Sequence, residues 1–153
     1  MITAADIGSG AGFPGIPIKL WAPDISLTLI ESNHKKATFL REIARALTLT
    51  DIDIKTVRAQ FLSGETFDLV TLRAVERFEM ILPVAARLVA PGGRLALLIG
   101  SSQFDKARTE LKDDLPTAFT WSDPQPIAAS HSRILAIAYR SGDQRQPRRE
   151  STC

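Results

Sequence analysis

Two periods of apolar residues alternate along this chain and divide it into strand-length and helix-length stretches. Short apolar runs at residues 2–7, 25–30, 52–57, 67–72, 95–99, 117–121 and 133–139 read as seven strands. Between them lie helical patterns at 13–21, 33–47, 76–89 and 104–111. In the second of these Ala37, Leu40, Ala44 and Leu47 recur on one helix face, while Pro83 should kink or delay the third. Ala90-Pro91-Gly92-Gly93-Arg94 reads as a turn into the fifth strand. Strand and helix alternate through that strand, which predicts a parallel sheet with helical crossovers. The stretch between the last two strands holds Pro124, Pro126 and His131 but no helix-length pattern, so those strands should pair antiparallel. Trp21 and Trp121 are expected to pack against the core.

The first strand runs into Asp6-Ile-Gly-Ser-Gly-Ala-Gly-Phe-Pro-Gly15, with Gly8, Gly10 and Gly12 at alternate positions before a helical run. Glycine takes positive φ without steric cost and lets a ligand approach the backbone, so the loop offers main-chain N–H groups to a small molecule. Asp6-x-Gly8-x-Gly10-x-Gly12 is the pattern of S-adenosylmethionine (SAM) methyltransferases, whereas Gly10-x-Gly12-x-x-Gly15 satisfies the dinucleotide fingerprint. A glycine-rich turn without a ligand is the third reading. Glu31 ends the second strand, 19 residues past Gly12, where an acid accepts the ribose hydroxyls of either adenosine ligand. The turn at Arg58-Ala59-Gln60-Phe61 and Arg73, just past the fourth strand, also fall where open α/β sheets place ligands. Arg73 is read as a contact to cofactor or substrate. A sheet that closes on an antiparallel hairpin favours the methyltransferase plan over the dinucleotide plan.

Composition narrows this little. The 153 residues suit one domain at 1–140 followed by a polar tail at 141–153, which is expected to be disordered. Net charge is +2, and residues 140–153 hold the whole excess, with four arginines against two acids. A nucleic-acid contact would therefore come from a local cluster or the tail, not from a basic body. His34, Lys35, Lys36, Arg41 and Arg45 lie largely off the apolar face of their helix and read as a solvated surface. The single cysteine, Cys153, leaves no internal disulfide and no Cys-based metal cluster, and no metal ion is expected. No apolar run reaches 18 residues and no leader is visible, so a cytoplasmic protein without membrane contact is expected, a monomer being favoured.

Residues 6–17, Asp-Ile-Gly-Ser-Gly-Ala-Gly-Phe-Pro-Gly-Ile-Pro, resemble the loop of the RsmG (GidB) family of ribosomal RNA methyltransferases. Further matches are Glu31-Ser32 with Lys35-Lys36 and Phe39-Leu40, then Arg73-Ala74-Val75, Pro91-Gly92-Gly93 and Arg133-Ile-Leu. The resemblance runs to about Arg140. It implies a Rossmann-like α/β fold of the class I SAM-dependent methyltransferases, with a seven-stranded, mostly parallel sheet ending in an antiparallel hairpin. It implies transfer of a methyl group from SAM to N7 of a guanosine in 16S, small-subunit ribosomal RNA. Cofactor contacts are implied for Gly8, Phe13, Ala59, Gln60 and Arg73, beside Asp6, Gly10, Gly12 and Glu31 of the pattern read above. The chemistry asks for no general base, since N7 has a free lone pair and no proton to lose. Two features depart from the family. Its members carry a helical segment ahead of the first strand, and they carry Lys-Gly where Ile99-Gly100 stand here. Both lie on the RNA side, so SAM binding without efficient turnover is expected of this chain. The alternative is a SAM-binding fragment or diverged paralogue without RNA methyltransferase activity, and a nicotinamide oxidoreductase is the third choice.

Overall fold

A computed structural model describes residues 1–73, 77–112 and 119–142. Its elements run β1 (Thr3–Ile7), α1 (Gly15–Trp21), β2 (Ser26–Ile30), α2 (His34–Ala46), β3 (Ile52–Lys55) and β4 (Phe67–Arg73). They continue with α3 (Phe78–Leu88), β5 (Val89–Gly100), α4 (Ser101–Lys112), β6 (Phe119–Trp121), β7 (Gln125–Pro126) and β8 (Arg133–Arg140). One sheet holds them in the order β3-β2-β1-β4-β5-β8-β6, and the two-residue β7 joins the side of β8. The first five strands are parallel, and β8 is antiparallel to both β5 and β6. The seven expected strands are all there; β7 is an eighth, too short to leave a periodic signal.

The strands are nearly continuous apolar runs because helices cover both faces. On one face Ala4, Leu27 and Leu29 pack with Ile16 of α1 and Leu40 of α2. On the other, Ala5, Ile7, Val70, Leu72, Leu95 and Leu97 pack with Phe78 and Leu82 of α3 and Phe104 and Leu111 of α4. Adjacent residues such as Ala4 and Ala5 enter opposite layers, as the pleat requires. Asn33 caps α2 by accepting the Lys36 N–H at 3.0 Å. Pro17 lies in the first turn of α1, where a missing N–H breaks no bond.

Several boundaries differ from the sequence reading. Pro83 lies inside α3, which continues past it to Leu88; the expected start of that helix at Glu76 lies outside the described residues. The expected turn at 90–94 is an excursion within β5: Val89 pairs with Phe67 and Arg94 with Leu69, so four residues loop out while the partner strand advances by two. Arg73 is the last residue of β4, not the first residue beyond it. Trp121 packs edge-on against Phe104 at 5.5 Å, but Trp21 is 92% exposed and belongs to no core. The expected tail from Ser141 lies, after Gly142, outside the described residues. No helix among the described residues is long and apolar enough to cross a membrane.

Candidate functional site

The chain runs β1, β2, β3 outward from the middle of the sheet and then returns to place β4 on the other side of β1. Open α/β sheets leave a crevice at the carboxyl ends of strands flanking such a reversal. Here the crevice is a cavity of about 690 Å³. Ile7, Ile30 and Leu72, at the ends of β1, β2 and β4, contribute its apolar floor. Gly8 and Gly10 of the loop, Glu31, Ser32 and Lys36 line one side, and Val57, Arg58, Ala59 and Gln60 after β3 line another. Arg77, Met80, Ile81 and Val84 complete it, spaced as one face of a helix.

The loop keeps its shape through bonds that its own residues supply. Gly8, Gly10 and Gly12 all have positive φ, at 65°, 57° and 94°. The Gly8 and Ser9 amides donate to the Ile30 carbonyl at 2.8 and 3.3 Å, tying the loop to the end of β2. Glu31, only 7% exposed, accepts the Gly10 N–H at 3.0 Å on one carboxylate oxygen and the Asn33 N–H at 3.2 Å on the other. Each oxygen keeps a lone pair for a further donor. A Cβ built on Gly10 would meet nothing nearer than the Gly8 carbonyl at 3.8 Å and the Arg73 guanidinium at 3.9 Å. The space above Gly10 is open, and the arginine stands beside it.

Asp6 has a different place from the one expected. It is 1% exposed and does not line the cavity. One carboxylate oxygen accepts the Thr71 hydroxyl at 2.7 Å across the β1–β4 pairing, and the other accepts the Gly15 N–H at 3.1 Å. This carboxylate therefore joins two strands to the start of α1. It also dictates glycine at position 15, where a Cβ would come within 2.8 Å of its oxygen and 2.5 Å of the Leu29 side chain. Burial pushes the Asp6 carboxyl up from 3.8 to about 6, against the opposing pull of the Thr71 hydroxyl, the Gly15 amide, the Ser9 hydroxyl and the Arg73 charge.

Of the nine residues singled out in the sequence, Gly8, Gly10, Glu31, Ala59 and Gln60 line the cavity. Gly12 serves the frame, its N–H bonded to the Ser9 carbonyl and its own carbonyl accepting from Ile16. The exposed Phe13 and Arg73 are not part of the lining, although Arg73 reaches Gly10. Sequence reasoning missed Lys36, Arg77, Met80, Ile81 and Val84. The last four fall within the helix predicted at 76–89, in which no residue was singled out for a ligand. Lys36, read as part of a solvated face, lines the cavity, while its neighbour Arg41 donates to the Ile54 carbonyl and the Thr56 hydroxyl. Ile99 is fully buried in β5 opposite Ile134, so its side chain belongs to the core and not to a substrate surface. Among the described residues no three His, Cys, Asp or Glu side chains cluster to hold a metal ion.

Comparison with known proteins places these features in a family. Residues 2–118 match the model of the family described as rRNA small subunit methyltransferase G, GidB. The ribosomal RNA small subunit methyltransferase G of Mycoplasma capricolum is 47% identical over 111 residues, covering 71% of this chain and 46% of that protein. Its counterpart from Halorhodospira halophila is 38% identical over 137 residues, covering 90% of this chain and 65% of that protein. The chain thus spans about half to two thirds of the length of these relatives. Among solved structures, P. horikoshii TYW2 in complex with MeSAdo superposes with a TM-score of 0.74 at 14% identity, over 91% of this chain and 56% of that one. An rRNA methylase from Streptococcus thermophilus gives 0.68 at 12% identity, over 92% and 87%. At such identities the likeness establishes the fold: that of the class I methyltransferases.

Proposed function

The chain belongs to the rRNA small subunit methyltransferase G family, and from that premise we propose that it binds SAM in the cavity and directs the methyl group to N7 of a guanosine in small-subunit, 16S ribosomal RNA. The observation that carries the reading is the Glu31 carboxylate, which lines the cavity beside Gly8 and Gly10 with acceptor capacity left on both oxygens. The donor set suits an adenosine ligand. Glu31 accepts from ribose hydroxyls, open space above Gly10 admits a ligand against the backbone, and the apolar floor excludes water.

When bound, SAM supplies a methyl group already activated by its positive sulfur. The chain's own task is then orientation, since guanine N7 offers a lone pair without a proton to remove. Glu31 and the loop fix the nucleoside part, and Arg73, beside Gly10, steadies the cofactor or the base. Asp6 acts one step back by holding Gly15 and Thr71, which sets where the loop ends and α1 begins. Because ribosomal RNA is the substrate, the work is cytoplasmic.

The test is transfer of labelled methyl from SAM to small-subunit particles and to naked ribosomal RNA lacking the modification, followed by nucleoside analysis. Label in N7-methylguanosine, at low turnover for this chain, is the expected result. Label on another atom, or no SAM binding, would contradict the proposal.

A further inference from the structure

Charge around the cavity does not suit the cofactor alone. Among the described residues the lining holds three cations, Lys36, Arg58 and Arg77, against the one carboxylate of Glu31, and all three cations are exposed. A fourth, Arg73, stands beside Gly10. SAM is itself net positive, with one carboxylate against an ammonium and a sulfonium, so it can satisfy one of these cations and is repelled by the rest. A polyanion has use for all of them. The three come from separate elements: Lys36 from the first turn of α2, Arg58 from the turn after β3, and Arg77 from the start of α3. Arg77 moreover holds a left-handed backbone, φ 61°, which is uncommon for a side chain of its size. Three unrelated segments thus bring cations to one cavity in a chain whose first 139 residues are charge-neutral.

Resting on the reading of the cavity as the SAM site, we infer that Lys36, Arg58 and Arg77 form the surface on which the RNA backbone is laid, each meeting a phosphate. The nucleic-acid contact is then a local cluster at the cavity mouth. Phosphate contacts position a strand and carry no base readout, so this surface sets where RNA lies over the methyl donor, not which base is chosen.

The experiment compares the wild-type chain with the triple variant Lys36→Gln, Arg58→Gln, Arg77→Gln, and with Arg87→Gln as an exposed control in the last turn of α3, the helix that Arg77 precedes. Binding to an unmodified small-subunit ribosomal RNA transcript is measured by fluorescence anisotropy from low to high salt, and SAM binding by calorimetry. Loss of three phosphate contacts should flatten the slope of log affinity against log salt by about 2. The triple variant should also weaken RNA binding by roughly tenfold or more near 0.1 M salt, by a larger factor than it weakens SAM binding, and Arg87→Gln should behave like wild type. Arg77→Glu alone should weaken RNA binding more than Arg77→Gln. An unchanged slope, no RNA binding by the wild type, or loss of SAM affinity with RNA affinity retained would overturn the inference. A wild type that binds RNA with the expected slope yet takes no SAM would sink the cofactor reading and leave the phosphate surface standing.

Discussion

The carboxyl edge of β1, β2 and β4 and the body of β5, β8 and β6 belong to one sheet but use their side chains in opposite ways. At the first, buried polar groups are paired one by one: Asp6 with Thr71 and Gly15, and Glu31 with Gly10 and Asn33. In the second, the cross-strand partners are mostly aliphatic, as in Leu95 with Ala138, Leu97 with Ala136 and Ile99 with Ile134. Arg94 over Tyr139 and the Arg140 guanidinium on the Val89 carbonyl hold its far end. The parallel half carries the cavity at the point where strand order reverses, and the antiparallel half closes the core behind it. A substitution should therefore show its effect in ligand binding on one side and in stability on the other.

The largest expected effect is on the antiparallel side. Ile99→Lys buries a charge with no partner and should destabilise the fold by about 3–5 kcal/mol, read as a lower urea midpoint, with no gain in methyl transfer. A stable variant with faster turnover would return position 99 to the substrate surface. Across the divide, Gly10→Val should abolish SAM binding while cooperative melting persists, because a β-branched residue at φ 57° is strained and its methyls fill the open space. Retained affinity there would remove the loop from the site.

Asp6 tests whether the polar edge is held at the expense of stability. Its carboxyl is raised from 3.8 to about 6 in the fold, so between those values the native state binds more protons than the unfolded state. Stability should consequently fall by up to about 3 kcal/mol as pH rises from 4 to 6, and level off above. Asp6→Asn, whose amide oxygen can accept from Gly15 while its NH₂ donates to the Thr71 oxygen, should lose this fall in a pH series of thermal melts. A wild type whose stability rises through that window would contradict the assigned environment. The smallest effect expected is that of Glu31→Ala, which should weaken SAM by about 1–3 kcal/mol by removing the acceptor for two hydroxyls.

What could be read from the chain follows the same divide. Gly8, Gly10 and Glu31 were legible because glycine spacing after a strand, and an acid at the next strand's end, are local signals with a direct physical cause. Ala59 and Gln60 came from family likeness, supported by their place after β3. Asp6 was legible as important but not in its role, since whether a carboxylate turns to a ligand or to an amide nine residues on depends on how α1 docks. Lys36, Arg77 and Met80 escaped because helix periodicity tells which residues meet the sheet and is silent on which of the others border a cavity. Pro83 ended no helix because α3 is buried on Leu82, Ala85 and Ala86, and packing outweighs one lost bond. Trp21 was assigned to the core on residue type alone, and type does not determine exposure at a helix end.

Calorimetric titration decides whether the cavity lined by Glu31, Gly8 and Gly10 is a SAM site. Wild-type chain and Glu31→Ala would each be titrated with SAM and, in parallel, with NAD. Saturable heat with SAM, none with NAD, and a weaker SAM curve for Glu31→Ala are the predicted results. Heat with NAD alone, or a Glu31→Ala curve that overlays the wild type, would contradict the account.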